Sequence, residues 1–130
     1  MNDVDPYLLL VGYRQRLLDN GIEPVVLGPL QGSGPGIGLT HIPLVDDDTT
    51  GNVLASVQVH FRGDATAGIK PVLDWQRDIR SILSFEATQV GGHLVVKSWR
   101  QTSAPIAPDP AGRPEGWDTY YLRTDRLGRS

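Results

Sequence analysis

The sequence contains no cysteine, and this absence excludes three kinds of chemistry. No disulfide framework, no thiolate metal site and no cysteine nucleophile can form. Long apolar runs are also missing: the run from Tyr7 to Val11 spans five residues, whereas a membrane-spanning helix needs about 20. Acidic residues precede this run, where a signal peptide would carry positive charge. We therefore expect neither a membrane span nor a signal peptide.

A dominant charge of one sign is absent as well. The chain has 12 basic and 15 acidic residues, mixed along its length, for a formal net charge of −3. Dedicated nucleic-acid binders normally carry a basic face or stripe, so this balance argues against one. The length of 130 residues provides enough material for one hydrophobic core. We predict a single domain covering residues 1–130.

The most regular pattern in the chain lies between Asn52 and Phe85. Apolar side chains alternate along its first part, at Val53, Ala55, Val57, Val59 and Phe61. This period predicts a strand with its Val/Phe face on the core and its other face mostly wet. The second part changes to helical spacing, with Val72, Trp75, Gln76, Ile79, Ile82 and Leu83 on one side. We predict a helix over Pro71 to Ser84 that packs on the strand, with Asp64 or Thr66 as its cap.

A second helix is predicted near the start of the chain. Asp5 is a plausible cap, Pro6 suits the first helical position and Gly21 follows the end. The apolar positions that indicate this helix are Tyr7, Leu10, Val11, Leu17 and Leu18. A short strand candidate, Pro24 to Leu27, follows the helix.

Glycine and proline dominate the next segment, Gly28 to Gly38, which predicts a flexible loop. A phosphate-binding loop would need a third glycine at position 37, which is Ile37 here, and a helix after the glycines. A lysine after the glycines is also missing. We therefore favour a flexible loop.

Leu39 to Val45 is a weak strand candidate that we expect to form a hairpin with the strand at Val53. Pro43 restricts it to a sheet edge or a bulge. The acidic run Asp46, Asp47 and Asp48 follows. Calcium loops space their oxygen ligands on alternate positions and end with a distant glutamate, so a solvated turn is the better interpretation.

The last third of the chain contains two further strand candidates. His93 to Arg100 follows a Gly91–Gly92 turn, and Trp117 to Arg126 closes the pattern. A proline-rich connection, 102–116, with four prolines in fifteen residues, separates them. The predicted fold is α+β: a mainly antiparallel sheet of about five strands with two helices on one face, in the order α-β-β-β-α-β-β.

Motifs for catalysis are scarce. The sequence has no glycine-flanked serine of the nucleophile-elbow kind and no pair of histidines at helical metal-ligand spacing. His41, His60 and His93 each lie on a predicted strand and could approach one another if those strands pair. Isolated histidines are more often surface or hydrogen-bonded residues than ligands. We expect no catalytic, cofactor-binding or metal-binding residues. The sequence favours a binding or structural protein rather than an enzyme.

Three stretches together resemble a known family. They are VQVHFRGD at 57–64, an amphipathic helix ending in SILSF at 81–85, and WRQTSAPIAPDPAGRPEGWDTYYLRTDR at 99–126. In this order they resemble the tail terminator or tail-completion (minor capsid) proteins of long-tailed bacteriophages. The resemblance covers nearly the whole chain, although its motifs are patterns rather than catalytic signatures.

The resemblance implies a structural protein of the virion, located at the head–tail junction and assembled in the host cytoplasm. Six copies would form a ring that caps the finished tail tube and joins it to the head connector proteins. DNA would meet the ring only in passing through its lumen, which Asp46 to Asp48 would face. The segments 28–38 and 102–116 are the expected contacts between copies, with Arg62 and the outward face of the second helix as further binding candidates. Alternatives are another head–tail connector, a head-completion protein, or a small enzymatic or ligand-binding domain.

Overall fold

The computed structural model describes residues 5–44 and 52–125 and contains two helices and seven strands. The elements in chain order are α1 (Pro6–Asp19), β1 (Val25–Leu27), β2 (Gly36–Pro43), β3 (Asn52–Arg62), α2 (Lys70–Ile82), β4 (Phe85–Val90), β5 (His93–Ser103), β6 (Ala107–Pro108) and β7 (Pro114–Asp125). The predicted acidic turn at Asp46 to Asp48 lies outside the described residues.

All seven strands belong to one curled, mixed sheet, so the predicted five-strand, mainly antiparallel architecture and its element order are wrong. The main path runs β1-β2-β3-β7-β5-β4, and β6 pairs with β7. β1 runs parallel to β2, with Val25 opposite Ile37, while the remaining pairs are antiparallel.

Two strands were not predicted from the sequence, because their hydrophobic patterns are weak. β4, with the sequence FEATQV, follows α2 directly and forms a sheet edge, and its apolar residues do not alternate. β6 consists of two residues, Ala107 and Pro108. It is defined by its backbone pairing with Glu115 and Pro114 of β7. Backbone hydrogen bonds carry no side-chain period, so such segments leave little trace in a sequence.

β3 is central to the sheet and has β2 on one side and β7 on the other. The predicted core face is confirmed for Ala55, Val57, Val59 and Phe61, which are all buried. The opposite face is less exposed to solvent than predicted, since Ser56 and Arg62 are buried there as well. The predicted hairpin with β2 is confirmed. β1 pairs with β2 at residues 37–39, so Pro43 lies past the end of that pairing and, among the described residues, is paired with β3 alone.

α1 begins as predicted, because the Asp5 carboxylate accepts a hydrogen bond from the Leu8 amide at 3.1 Å. Its buried side chains are Leu9, Tyr13 and Leu17. The helix lies close to the turn between β4 and β5: a methyl group added at Gly12 would meet the Gly91 nitrogen at 2.5 Å. Glycine at these two positions allows the two backbones to approach.

α2 confirms the predicted apolar stripe, with Val72, Ile79 and Leu83 buried in the same core cluster as α1. Its predicted cap is wrong. The residue before the helix is Ile69, which makes no side-chain capping bond. Asp64 instead accepts bonds from the amide and hydroxyl of Thr66, at 2.8 and 2.7 Å, and closes a local turn before the helix.

Side chains of α1 connect the helix to neighbouring elements through hydrogen bonds. The Tyr13 hydroxyl donates to Ser98 Oγ at 2.7 Å, and Ser98 Oγ donates to the Leu83 carbonyl at 2.7 Å. Arg16 Nε donates to the Ile82 carbonyl at 2.8 Å. These bonds fix α1 against both β5 and the end of α2 within an otherwise apolar core.

The close approach of α1 to the turn between β4 and β5 can be tested at two neighbouring glycines, one of which serves as the matched control. Gly91 and Gly92 both have positive φ, at 58° and 82°, but only a methyl at Gly91 would strike the Leu8 carbonyl. Gly92→Ala should lower the free energy of unfolding by about 1–2 kcal/mol through backbone strain. Gly91→Ala should cost a further ~1–3 kcal/mol through the clash with α1. Urea unfolding measures both, and equal losses would contradict the close approach.

The buried tyrosines give a second matched pair. Tyr13 donates a hydrogen bond, whereas the buried Tyr120 hydroxyl has no protein partner among the described residues. Tyr13→Phe should therefore lower the free energy of unfolding at pH 7 by about 1 kcal/mol, while Tyr120→Phe should change it little. Similar losses for both variants would contradict these hydrogen-bond assignments.

Burial raises the pKa of both tyrosines, so each stays neutral at pH values where tyrosine in the unfolded chain ionises. The folded state then binds more protons than the unfolded state above pH ~10, and stability should fall as the pH rises further. Each Tyr→Phe variant should flatten this fall in urea unfolding measured between pH 9 and 11. An unchanged slope in both variants would show that neither tyrosine is protected.

Candidate interaction surfaces

The three histidines do not share a cleft. His41 lies on the core-facing side of β2, where burial lowers its pKa. His60 lies on the opposite face of the sheet and stacks on Trp117, with ring centroids 3.7 Å apart. His93 is buried beside the start of α1 and accepts the Asp5 amide on Nε2 at 3.0 Å. Within the described ranges no group of three histidine or acidic side chains is placed to hold a metal ion.

The loop between β1 and β2 is shorter than predicted, because β2 already begins at Gly36. A strand follows its glycines, so the helix that a phosphate loop would need is not there. Two arginines bond to loop carbonyls: Arg62 to Gly34 at 3.0 Å and Gln31 at 3.2 Å, and Arg113 to Ser33 at 2.9 Å. Arg62 is therefore a buried support of the loop rather than the free binding residue that the sequence suggested.

The proline-rich connection is largely built into the sheet. β5 extends to Ser103 and β7 begins at Pro114, which leaves a compact turn around Asp109. Asp109 accepts bonds from the amides of Ala111 and Arg113 at 2.9 Å and from Arg113 Nε at 2.8 Å. Burial alone would raise the pKa of the Asp109 carboxyl, but these hydrogen bonds outweigh it and the pKa lies below its ordinary value.

An apolar cleft of about 210 Å³ separates this connection from the start of α2. We call it the proline cleft; its lining residues are Ala65, Gly68, Ile69, Ile106, Ala107, Pro108, Gly112 and Pro114. Ile69 is 47% exposed, and Leu73, one helical turn further along α2, is 44% exposed. The cleft is therefore part of a larger apolar surface open to solvent.

A second exposed apolar surface lies on α1 and is called here the α1 ridge. It consists of Tyr7, Leu8 and Val11, which are 66%, 43% and 37% exposed. Tyr7 and Val11 are among the apolar positions that predicted the helix, and both lie at its exposed surface. Five consecutive apolar residues wrap around a helix and cannot all face one side. That property of the run was the available signal for an exposed ridge.

The sheet face opposite the core carries aromatic side chains. His60 stacks on Trp117, and its Nε2 lies 2.8 Å from a carboxylate oxygen of Glu115. Trp99 meets Tyr121 edge to face, with centroids 6.1 Å apart. Trp117 is 40% exposed. This face has the composition of a contact surface, since aromatic residues are enriched at protein interfaces.

A buried carboxylate connects α2 to the sheet. Asp118 is fully buried, and its Oδ1 accepts bonds from Gln76 at 2.9 Å and from Ser103 at 2.7 Å. Arg100 lies 3.8 Å from Oδ2. The sequence interpretation assigned Gln76 to the apolar stripe, whereas its role is to hydrogen-bond this carboxylate. Oδ2 has no hydrogen-bond partner among the described residues. Because Asp118 is fully enclosed, it supports the fold rather than a ligand site open to solvent.

Within the described part of the chain, neither α1, at 14 residues, nor α2, at 13, is long and apolar enough to cross a membrane.

Comparison with known proteins identifies a similarity in fold. No protein-family model and no curated protein sequence matches the chain. Among solved structures, a chain of the structure described as "Virion of native gene transfer agent (GTA) particle" matches with a TM-score of 0.72 and 14% sequence identity. The match covers 89% of this chain and 93% of that chain. The two chains therefore share a fold along almost their entire lengths.

Proposed function

We propose that the protein is a structural component of a virion, either of a long-tailed phage or of a phage-like particle. The observation that carries this proposal is the fold shared with a chain of a gene transfer agent virion over nearly all of both chains. The sequence resemblance to tail terminator proteins points in the same direction. A fold by itself does not determine a function, so the surfaces described above must also suit an assembly role.

The more specific proposal is a ring, formed by six copies at the head–tail junction after assembly in the host cytoplasm. This ring would cap the finished tail tube and bind the head connector proteins. Repeated head-to-tail contacts close into a ring when the rotation between neighbours fits, and otherwise extend into a filament. Exposed apolar side chains on α1, beside the proline cleft and on the sheet face provide surfaces for such contacts.

We also propose that the protein has no enzymatic activity of its own. The enzymatic alternative depended on His41, His60 and His93 lying in one cleft, and they lie apart. DNA would be a passing occupant of the lumen, in keeping with a chain whose net charge is −3.

The assembly state can be tested directly on the purified protein. Native mass spectrometry should show a species of about six times the 14.2 kDa chain mass, alone or after addition of tail tubes. Electron microscopy should then show the protein at tube ends rather than along tube walls. A protein that stays monomeric and never binds tubes would contradict the proposal. Binding to portal rings instead of tubes would indicate a head-completion protein.

The role of the β1–β2 loop needs a substitution rather than a large deletion, because Ile37 in β2 is buried in the core. Ser33→Trp places a bulky group on the exposed loop and leaves the bonded backbone carbonyls unchanged. If the loop contacts a neighbour, this variant should weaken ring formation or tube capping about tenfold or more.

Gln101→Trp, at an exposed position on β5, provides the matched control and should assemble normally. Light scattering across a dilution series measures both variants. Equal behaviour of the two proteins would remove the loop from the interface.

A further inference from the structure

The proposed ring requires two different apolar surfaces on each copy, because a head-to-tail contact joins unlike surfaces. The inference below rests on that proposed function and specifies the contact between copies. Of the exposed surfaces described above, the α1 ridge projects from a helix and the proline cleft is recessed, so they form an unlike pair. A second copy of the chain brings one of each.

The two surfaces lie at opposite ends of strand β7. Pro114, the first residue of β7, lines the proline cleft. Near the other end, Thr124 pairs with Val95, two residues after the start of β5. The turn that precedes β5 lies against α1 at Leu8. Ten residues of strand span about 30 Å, so the ridge of one copy cannot reach its own cleft.

The chemistry of the two surfaces is also complementary. The cleft walls are mostly small or apolar groups, such as Ala65, Gly68 and Ala107, which leave room for an inserted ring. Tyr7, the most exposed residue of the ridge, supplies such a ring. Lys70, next to the cleft residue Ile69, has a side chain that is 83% exposed and forms an ion pair with Asp74 of its own helix at 2.7 Å. On an approaching copy, the negative charge nearest to Lys70 would be the Asp5 carboxylate, which caps α1 and offsets the positive end of the helix dipole.

We propose that the α1 ridge of one copy docks into the proline cleft of the next, and that this contact builds the ring. Burial of Tyr7, Leu8 and Val11 against Ile69 and its neighbours removes both exposed surfaces from water in a single contact. Each copy keeps one free ridge and one free cleft until the ring closes.

Complementation between two variants tests this contact. Leu8→Asp disables the ridge and Ile69→Asp disables the cleft. Both positions are exposed, so urea unfolding should show that both variants keep the fold, with Ile69→Asp at or above wild-type stability because aspartate is a favoured N-cap residue. Each variant alone should need at least about tenfold more protein to associate. In an equimolar mixture, the intact ridge of Ile69→Asp meets the intact cleft of Leu8→Asp. Native mass spectrometry should show 1:1 heterodimers that grow no further.

Val96→Asp provides the control, since Val96 on β5 is an exposed apolar residue, 38% accessible, outside both surfaces and away from the β1–β2 loop, and this variant should assemble normally. Failure of the mixture to form heterodimers, while Val96→Asp assembles, would overturn the contact. Assembly of Leu8→Asp or Ile69→Asp like the wild type would also overturn it, and the proposed function would stand. Leu8→Asp rings that no longer bind tubes would assign the ridge to the tube protein instead. A wild-type protein that binds neither itself nor tubes would overturn both proposals.

Discussion

The antiparallel pairing of β3 with β7 is the interaction on which the rest of the structure depends. Val57 lies opposite Tyr120 and Ala55 opposite Leu122, so that two buried rows form one continuous apolar surface. Both helices bury their apolar side chains in the cluster that this surface anchors. Hydrophobic burial contributes roughly 1.5–3 kcal/mol for each large side chain, far more than an exposed ion pair such as Asp74 with Arg77. The surface loops and the exposed ridge are positioned by this core.

Hydrogen bonds between polar side chains then fix the positions of the two helices on the sheet, which hydrophobic burial alone does not specify. The Tyr13–Ser98–Leu83 hydrogen bonds hold α1 against the sheet, and Asp118 with Gln76 holds α2. These bonds place α1 with one face in the core and Tyr7, Leu8 and Val11 outside. An exposed apolar ridge is costly in an isolated protein and is explained when another protein surface covers it. In the proposed assembly, a neighbouring protein would cover this ridge.

Sequence reasoning succeeded where one face of an element is buried and the other is not. Val57, Val59 and Phe61 alternate, and Val72 and Ile79 follow the helical period, so β3 and α2 were predictable. The method missed β4, which forms a sheet edge, and β6, which is defined by its pairing with β7. Parallel pairing of β1 with β2 also leaves no local signal, because it depends on long-range register. The proline cleft joins residues about forty positions apart and was visible only in three dimensions.

The central claim is that the protein is a virion component at the junction of head and tail. Cryo-electron microscopy of particles labelled with gold-conjugated antibody against the chain tests this claim most directly. We expect one cluster of label per particle, where the tail meets the head. Label spread over the head shell, located at the distal tail tip, or missing from purified particles would contradict the account.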